Sequence, residues 1–211
     1  MIYSIHEVER DVRVCLDQNM HDKQLLTDGD VDTLALDEII RSKVPEAVRI
    51  IHCQAPAYLL EEGHNFGDAV YWGDQESGWV LLPDDFMRLV VFEMSDWEQA
   101  VYSAISTEDP AYGIQRQRVK ALRGTAQRPV CAMAQRPEGK VLEFYSCKSE
   151  SAYVSRGVYL PYPKIDEGGG IDICERCYEA VVYAAAALVL LTLGEAEKST
   201  ALSEISKTLL Q

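Results

Sequence analysis

One uncharged apolar segment near the C-terminus constrains the fold of this chain more than any other feature. No charged residue occurs between positions 180 and 194, and four consecutive alanines lie within that stretch. A helix that is apolar on nearly every side has to be buried. A membrane span takes about 20 such residues. The segment therefore predicts a buried core helix, and we expect no membrane partner.

We expect this helix to begin at Ile171, directly after the three glycines at 168–170. Asp172 can cap it, and Glu175 follows three residues later, a spacing that is common at helix starts. Gly194 is expected to end the helix, because glycine readily adopts the left-handed conformation found after helices. The tail at 195–211 is more polar and keeps a narrow apolar seam. The seam consists of Leu202, Ile205 and Leu209.

Two helical regions are expected at the N-terminus. Ser4 and Glu7 form a capping box at the start of the first region, which ends near Asn19. The second region is either two short helices or one helix kinked at Pro45, and it ends around residues 56–60. Apolar residues at helical spacing mark both regions. They are Ile5, Val8, Val12, Leu16, Leu36, Ile39, Ile40, Ala47, Ile50 and Ile51.

The middle of the chain has a strand-like pattern. Residues 61–78 are polar and punctuated by glycine, which predicts a loop or hairpin tip. Short β-rich runs bounded by turn residues follow. Leu142 and Phe144 alternate with Glu143, which predicts a half-exposed antiparallel sheet with this carboxylate on the face opposite the two apolar side chains. The predicted strands cover residues 79–82, 89–94, 100–105, 130–134, 141–145 and 158–160.

These patterns predict an α+β protein of one domain, residues 1–211. In its helical core, from residues 1–62 and 171–211, the N-terminal helices pack with the long C-terminal helix. A small antiparallel β lobe at 79–165 lies between them in the sequence. No helix-sized segment regularly separates the strands, which disfavours a doubly wound parallel sheet.

The charge of the chain is strongly acidic, with one local exception. Twenty Lys and Arg against 34 Asp and Glu give a net charge of −14, so duplex nucleic acid is a poor candidate for the main partner. Residues 115–140 carry seven basic residues and one acid, Glu138, which gives +6. They form either a solvated basic loop or a contact site for an acidic neighbour, including another copy of this chain. The basic residues are Arg116, Arg118, Lys120, Arg123, Arg128, Arg136 and Lys140.

Cys174 and Cys177 form a Cys-x-x-Cys pair at the expected start of the C-terminal helix, where the helix dipole can lower a thiol pKa. A thioredoxin-like pair would instead follow a core strand in a βαβ unit, and a zinc site needs a second ligand pair. The other cysteines, on the early helices and on separate predicted strands, are not paired at metal spacing. A thiol or metal role is therefore the least favoured function. These cysteines are Cys15, Cys53, Cys131 and Cys147.

Other chemical signatures are missing from the sequence. The aspartates at 28–32 resemble a calcium loop, but Thr33 stands where the loop needs glycine and Ile39 where it needs glutamate. No nucleophile elbow or nucleotide-binding fingerprint occurs. We predict that the protein is not an enzyme, with no catalytic, cofactor-binding or metal-ligating residues and no cofactor. The isolated histidines, each expected at a surface or boundary position, are His6, His21, His52 and His64.

The sequence also predicts a cellular compartment. The first 13 residues are rich in charges and no apolar signal segment follows them. Six cysteines are scattered through the chain. We therefore expect a soluble, intracellular, non-secreted protein with free thiols in a reducing cytosol.

The order of these elements resembles that of phage head–tail connector proteins. The shared arrangement is an N-terminal helix pair, a modest antiparallel β region and a long C-terminal helix. The β region opens with LPDDFMRL at residues 82–89, and in that family a phrase of the form Leu-Pro-x-Asp-Phe-x-Arg-Leu commonly opens it. The family comprises the adaptor or ring proteins beneath the portal, including the tail tubular protein A-like proteins of short-tailed phages and the ring proteins of crAss-like phages. The Cys-x-x-Cys pair and the acidic turn have no counterpart there.

The resemblance implies a structural adaptor in the virion, made in the host bacterial cytoplasm. It implies a ring, often of twelve copies in the family, between the portal protein and the tail or further ring proteins. Such a ring would contribute to the DNA channel, where a basic collar could contact threaded DNA non-specifically. The tail at 195–211 would dock on the portal, and neighbouring copies would complete the burial of the C-terminal helix. The alternative is another non-enzymatic intracellular protein-binding or assembly factor.

Overall fold

The computed structural model describes residues 1–19, 36–60, 63–117, 119, 122–145, 147–166 and 169–211. The acidic turn at 28–32 and His21 lie outside these residues. The chain divides into two compact units, unit 1 from Met1–Glu61 with Tyr162–Gln211 and unit 2 from Glu62–Pro161. Both helices and strands are present, so the predicted mixed class is confirmed. No helix in the described ranges is long and apolar enough to cross a membrane.

Five α-helices and ten strands make up the described part of the chain. In chain order they are β1 (Ile2–Ser4), α1 (Ile5–Asn19), α2 (Leu36–Gln54), β2 (His64–Asn65), β3 (Val70–Trp72), β4 (Gly78–Leu81), β5 (Phe86–Met94), β6 (Ile105–Ser106), α3 (Pro110–Gln115), β7 (Cys131–Arg136), β8 (Gly139–Phe144), β9 (Val154–Pro161), β10 (Gly170–Asp172), α4 (Tyr178–Thr192) and α5 (Ala196–Thr208).

Unit 1 is built around α4, which packs against α1, α2 and α5. Its alanines allow the neighbouring helices to approach closely, because they carry no side chain beyond Cβ. Two buried serines of α5 bind the α4 backbone: the Ser199 hydroxyl donates to the Ala187 carbonyl and the Ser206 hydroxyl to the Ala180 carbonyl, each at 2.8 Å. The tail at 195–211 is thereby part of the helical core. Gly194, with φ +84°, joins α4 to α5 as predicted.

The predicted start of the C-terminal helix at Ile171 is wrong. Residues 170–172 form β10 and pair with β1 in antiparallel register, Ile171 opposite Tyr3. A short 3-10 helix (Glu175–Cys177) follows, and α4 begins only at Tyr178. Asp172 therefore lies in a strand and caps no helix. Pairing with a strand from the other end of the unit outweighs the local capping pattern.

The apolar helix is covered by its own unit. Within α4 only Glu179, Leu191 and Thr192 are exposed, and every other residue is buried or half-buried. Burial of α4 therefore does not require a neighbouring copy, contrary to the expectation. Leu191, 58% exposed, is the apolar side chain of α4 that its own unit leaves open.

The N-terminal helices agree closely with the sequence pattern. Helix α1 begins directly after Ser4, and Val8, Val12 and Leu16 are fully buried. The second region is one helix, α2, with Pro45 inside it, and it ends at Gln54, slightly before the predicted end. Across the two helices the Arg41 guanidinium binds the Glu9 carboxylate at 2.5 Å. Burial raises the pKa of Glu9, but the hydrogen bonds from Arg41 and His6 outweigh it and hold the pKa below its usual value.

Unit 2 contains two sheets. One has the strand order β2-β9-β5 and the other β3-β4-β8-β7-β6. All pairings in these sheets are antiparallel except that of β6 with β7, which is parallel. The predicted strand at 100–105 reduces to an isolated bridge at Val101 and the start of β6. The region read as a loop or hairpin tip contains β2 and β3, and α3 was not predicted.

Aromatic side chains fill the core of unit 2. The Phe92 ring packs against those of Phe66, Trp97 and Phe144, with centroid distances between 5.8 and 6.1 Å. Phe92 and Phe144 are fully buried. Because Phe92 belongs to β5 and Phe144 to β8, this cluster joins the two sheets of the unit.

Gly157 in β9 is expected to tolerate no side chain. A Cβ there would lie 2.4 Å from the carbonyl oxygen of Phe66, a backbone atom that cannot easily move aside. We expect Gly157→Ala to lower the free energy of unfolding by about 1–3 kcal/mol. The matched control is Gly113→Ala in α3, whose Cβ would meet no atom within 4 Å and which alanine should stabilise. Urea denaturation measures both, and an equal loss in the two variants would contradict this account.

Candidate functional site

A polar cavity of about 420 Å³ in unit 2 is the strongest candidate for a functional site. Its wall comes from the turn between β3 and β4, from the end of α3, and from strands β4, β7 and β8. Three arginines contribute to it, Arg116, Arg123 and Arg136, together with the carboxylates of Asp74 and Glu143. All three arginines belong to the basic segment that the sequence singled out.

Glu143 is the buried carboxylate of this wall. It lies in β8, opposite Trp79 of β4 and Ala132 of β7, and it is 7% exposed. Its Oε1 accepts from Arg136 Nε at 3.0 Å and Nη2 at 2.7 Å. Its Oε2 accepts from the hydroxyls of Tyr145 at 2.7 Å and Tyr112 at 3.1 Å. Both oxygens are therefore fully occupied.

The environment of Glu143 sets its charge. Burial raises its pKa, but hydrogen bonds from Tyr145, Arg136 and Tyr112 outweigh this and hold the pKa below its usual value. Burial, together with the hydrogen bond to Glu143, raises the pKa of Tyr145 far above its usual value. The expectation of a half-exposed strand was wrong here, because β8 is covered on both faces and residues 141–145 are all buried.

Arg136 is held from two sides. Besides its pair with Glu143, its Cζ lies 3.8 Å from the centroid of the Trp79 ring, in the geometry of a cation–π contact. The Trp79 ring in turn stacks on Tyr71 at 5.9 Å. Arg136 is thus a structural arginine whose charge is used inside the unit.

Arg123 is buried without a partner. It is 7% exposed, and its Nε and Nη2 atoms are enclosed and make no hydrogen bond. The backbone beside it is fixed: the Gly124 N–H donates to the side-chain oxygen of buried Gln115 at 2.7 Å, and the Gln115 amide donates to the Ala111 carbonyl at 3.3 Å. Asp109 caps α3 by accepting from the Ala111 N–H at 2.8 Å. The orphaned guanidinium is therefore in a well-supported position.

Three apolar residues that lie next to residues of the cavity wall in the sequence are exposed. Ile114 is 40%, Val119 56% and Leu122 57% exposed. Of the basic residues at 115–140, Arg116, Arg128 and Lys140 are exposed, whereas Arg118 and Lys120 lie outside the described residues. The segment is therefore no simple solvated loop, because it combines the buried Arg123 and the half-buried Arg136 with exposed apolar side chains.

The Cys-x-x-Cys pair belongs to unit 1 and is not among the residues of the cavity wall described above. Cys174 precedes the 3-10 helix, and its thiol donates to the Leu59 carbonyl at 2.7 Å. Cys177 is fully buried, and burial together with Cys174 raises its pKa to about 11. A raised pKa disfavours the thiolate that redox chemistry and metal binding need. Cys147 lies beyond the end of β8 and not on a strand as predicted.

The structure describes His6, His52 and His64 among the histidines that the sequence singled out. His52 is buried in unit 1, where its Nε2 accepts from the Cys174 N–H at 3.4 Å, so the prediction of a surface or boundary position is wrong for this residue. His6 binds Glu9 at 3.1 Å, and the ring of His64 packs on Tyr159. Among the described residues, no three His, Cys, Asp or Glu side chains converge as metal ligands.

The LPDDFMRL segment forms the turn between β4 and β5 and the start of β5. The Phe86 N–H donates to the Pro83 carbonyl at 3.0 Å, and the Phe86 ring stacks on Tyr159 of β9 at 5.6 Å. Asp85 accepts from the Tyr159 hydroxyl at 2.7 Å, and burial with this hydrogen bond raises the pKa of Tyr159 to about 12. The motif therefore anchors β5 against β9.

Comparison of the chain with known protein families finds no match, and neither does comparison with curated proteins.

Glu143→Gln should weaken unit 2 in a pH-dependent way. Because the pKa of Glu143 is lowered in the folded state, its stabilisation is present above the unfolded value of about 4.3 and is lost as the pH falls through the folded value. We expect the variant to lose about 2 kcal/mol at neutral pH, and the difference from the native chain to shrink as the pH is lowered below about 4.

Urea denaturation across this pH range measures the effect. Glu138→Gln is the matched control, because Glu138 lies exposed on the same hairpin and its replacement should change the stability by less than about 0.5 kcal/mol. A pH-independent difference for Glu143→Gln would contradict the assignment.

Cysteine reactivity distinguishes the thiol alternative. Cys53 is exposed and the other five cysteines are buried, so a thiol-specific reagent at neutral pH should modify one thiol rapidly. Cys53→Ser should remove this fast phase, as followed by absorbance and mass. Rapid modification of Cys177 would contradict the raised pKa and would favour a thiol function.

Proposed function

We propose that this protein is a structural adaptor of a phage particle, in which copies of the chain form a ring between the portal and the tail. In this proposal the protomer is an α+β protein with a helical core of N-terminal and C-terminal helices and a β lobe. It is made in the bacterial cytoplasm and is located at the head–tail junction of the virion. The resemblance in element order, together with the LPDDFMRL turn that anchors β5, supports this assignment.

The observation that carries the proposal is the exposed surface formed by Ile114, Arg116, Val119 and Leu122, which we call the rim. Three of its side chains are apolar and at least 40% exposed, and basic residues lie close to them in the sequence of a chain whose net charge is −14. Exposed apolar side chains beside complementary charge are typical of protein contact sites. Because the rest of each copy is acidic, the occupant that fits best is a second copy of this chain.

The ring follows from the asymmetry of this contact. The basic rim of one copy would meet an acidic surface of the next, which is a head-to-tail contact, and such contacts close into rings when the rotation between copies allows it. Basic side chains turned toward the axis would then contact threaded DNA non-specifically.

Docking to the portal and tail would use other surfaces. The C-terminal segment remains the candidate for the portal: in α5 and just beyond it, Ile205 is 41% and Leu209 38% exposed, whereas Leu202 is buried. These two side chains lie four residues apart and so share one helix face. This face is free to pack against an apolar groove of another protein.

A non-enzymatic binding or assembly factor that acts as a monomer is the second candidate. The observation that favours it is that the residues of α4 other than Glu179, Leu191 and Thr192 are buried or half-buried within their own unit. Under this alternative the rim would bind a different acidic protein, and copies of the chain would not associate.

Mass by light scattering separates the two functions. The adaptor should form a ring or another high-order species, alone or with a candidate portal protein, and rising salt should weaken it. Leu122→Asp should weaken association at least tenfold, because burial of a leucine contributes about 1.5–3 kcal/mol. Tyr153→Asp, at an exposed apolar position that is not part of the rim, is the control and should associate normally.

A chain that stays monomeric at every concentration and never binds the portal would overturn the adaptor proposal. Association that Leu122→Asp leaves unchanged would show that the rim is not the contact.

A further inference from the structure

We propose that the cavity of unit 2 is a receptor for a carboxylate, that Arg123 is the residue that binds it, and that an acidic side chain of a neighbouring copy supplies it. The last part rests on the proposed ring, whereas the carboxylate site itself does not.

The first support for this proposal is the unfavourable free energy of burying the Arg123 guanidinium without hydrogen-bond partners for Nε and Nη2. Nearly all buried polar groups in proteins have a hydrogen-bond partner, and a buried charge without one is strongly unfavourable. Arg123 is 7% exposed, with Nε and Nη2 enclosed and unpartnered. Glu143, a carboxylate of the same cavity wall, offers no compensation, because both of its oxygens are occupied by other donors. The site is therefore incomplete in the isolated chain.

The identity of the two orphaned atoms indicates the shape of the missing ligand. Nε and Nη2 lie on the same edge of a guanidinium group, and their two N–H bonds point in one direction as a planar fork. That fork matches two oxygens of one planar oxyanion. Arg136 uses the same pair of atoms, Nε and Nη2, to bind Glu143, although both of them donate to the single oxygen Oε1.

The charge of the wall selects a monoanion. Among the described residues, the charged side chains that line the cavity are Arg116, Arg123, Arg136, Asp74 and Glu143. These described side chains carry three positive and two negative charges, which leaves +1, and one carboxylate neutralises it. A phosphate dianion would overcompensate this charge and would face the two acidic side chains. The wall thus favours a carboxylate over a phosphate.

The cavity offers room for an acidic side chain. Its volume of about 420 Å³ falls within the range of ligand sites, about 300–1,000 Å³. The orphaned N–H groups are enclosed, so binding involves a turn of the Arg123 side chain into the cavity. The β3–β4 turn at the cavity wall is strained, because Gln75 and Glu76 have φ values of 61° and 56° without being glycine.

The source of the carboxylate follows from the surroundings. The rim beside the cavity is apolar and exposed, which suits a protein surface better than a small soluble acid. The chain itself carries 34 acidic residues, so each copy brings many carboxylates to its neighbour. A side chain inserted next to the rim would pair with Arg123 while Val119 and Leu122 become buried.

Acetate is a direct probe of the site. At a concentration where light scattering shows single chains, sodium acetate should raise the melting temperature by about 3–6 °C at roughly ten times its Kd, relative to sodium chloride at equal ionic strength. Inorganic phosphate should raise it less. Acetate should also shift the Nε–Hε NMR signal of Arg123 saturably. Arg123→Gln should abolish both effects, whereas Arg128→Gln, at an exposed arginine, should keep them.

A second arm identifies the source of the carboxylate. If a neighbouring copy supplies it, acetate should compete with association and Arg123→Gln should weaken association at least tenfold. Acetate binding with no effect on association would uphold the site, refute the neighbouring copy and identify a free acid as the ligand. No acetate effect beyond that of chloride, or an equal effect in Arg123→Gln, would overturn the receptor. The Leu122→Asp result stands apart from these outcomes, so failure of the site and failure of the ring are distinguishable.

Discussion

The fold of unit 2 depends on one buried carboxylate. Glu143 sits in β8, between β4 and β7 in the five-stranded sheet, where an ionised group is tolerated only when its oxygens are hydrogen-bonded. Its donors come from three places: Tyr112 in α3, Arg136 in β7 and Tyr145 just beyond β8. One charge therefore ties α3 to the sheet. Since Gln115 of α3 in turn fixes the backbone next to Arg123, the geometry of the cavity depends on this carboxylate as well.

Much of the fold was predictable because its signals are local. Apolar residues spaced three and four apart placed α1 and α2, and β-rich runs between turns placed β4, β5, β7, β8 and β9 to within a few residues. The errors occur where distant parts of the chain decide the outcome. Ile171 was assigned to a helix because the capping pattern near it is strong, yet pairing of β10 with β1 holds it in a strand. No pattern within a short window reports a partner that lies at the other end of a unit.

The candidate site was only partly predictable, for a related reason. The excess of basic residues at 115–140 is visible in the sequence and does mark the cavity wall. The sequence could not tell which of them are buried. Arg136 is neutralised by Glu143 and stacked on Trp79, whereas Arg123 is enclosed alone. The alternation in β8 was misread because a strand covered on both faces can still carry a charged residue when partners surround it.

In the proposed ring, the charge distribution would allow an acidic protein to associate selectively. Copies with a charge of −14 repel one another in most orientations, but salt at cellular concentration screens charges beyond about 8 Å. Contact then depends on the few groups that actually meet. In the proposed contact, the rim and Arg123 would be stabilised only when an acidic side chain faces them, and other contacts would leave like charges together. The general repulsion between acidic copies would suppress wrong contacts. The local attraction at the rim would stabilise a single orientation, so both effects favour the same contact.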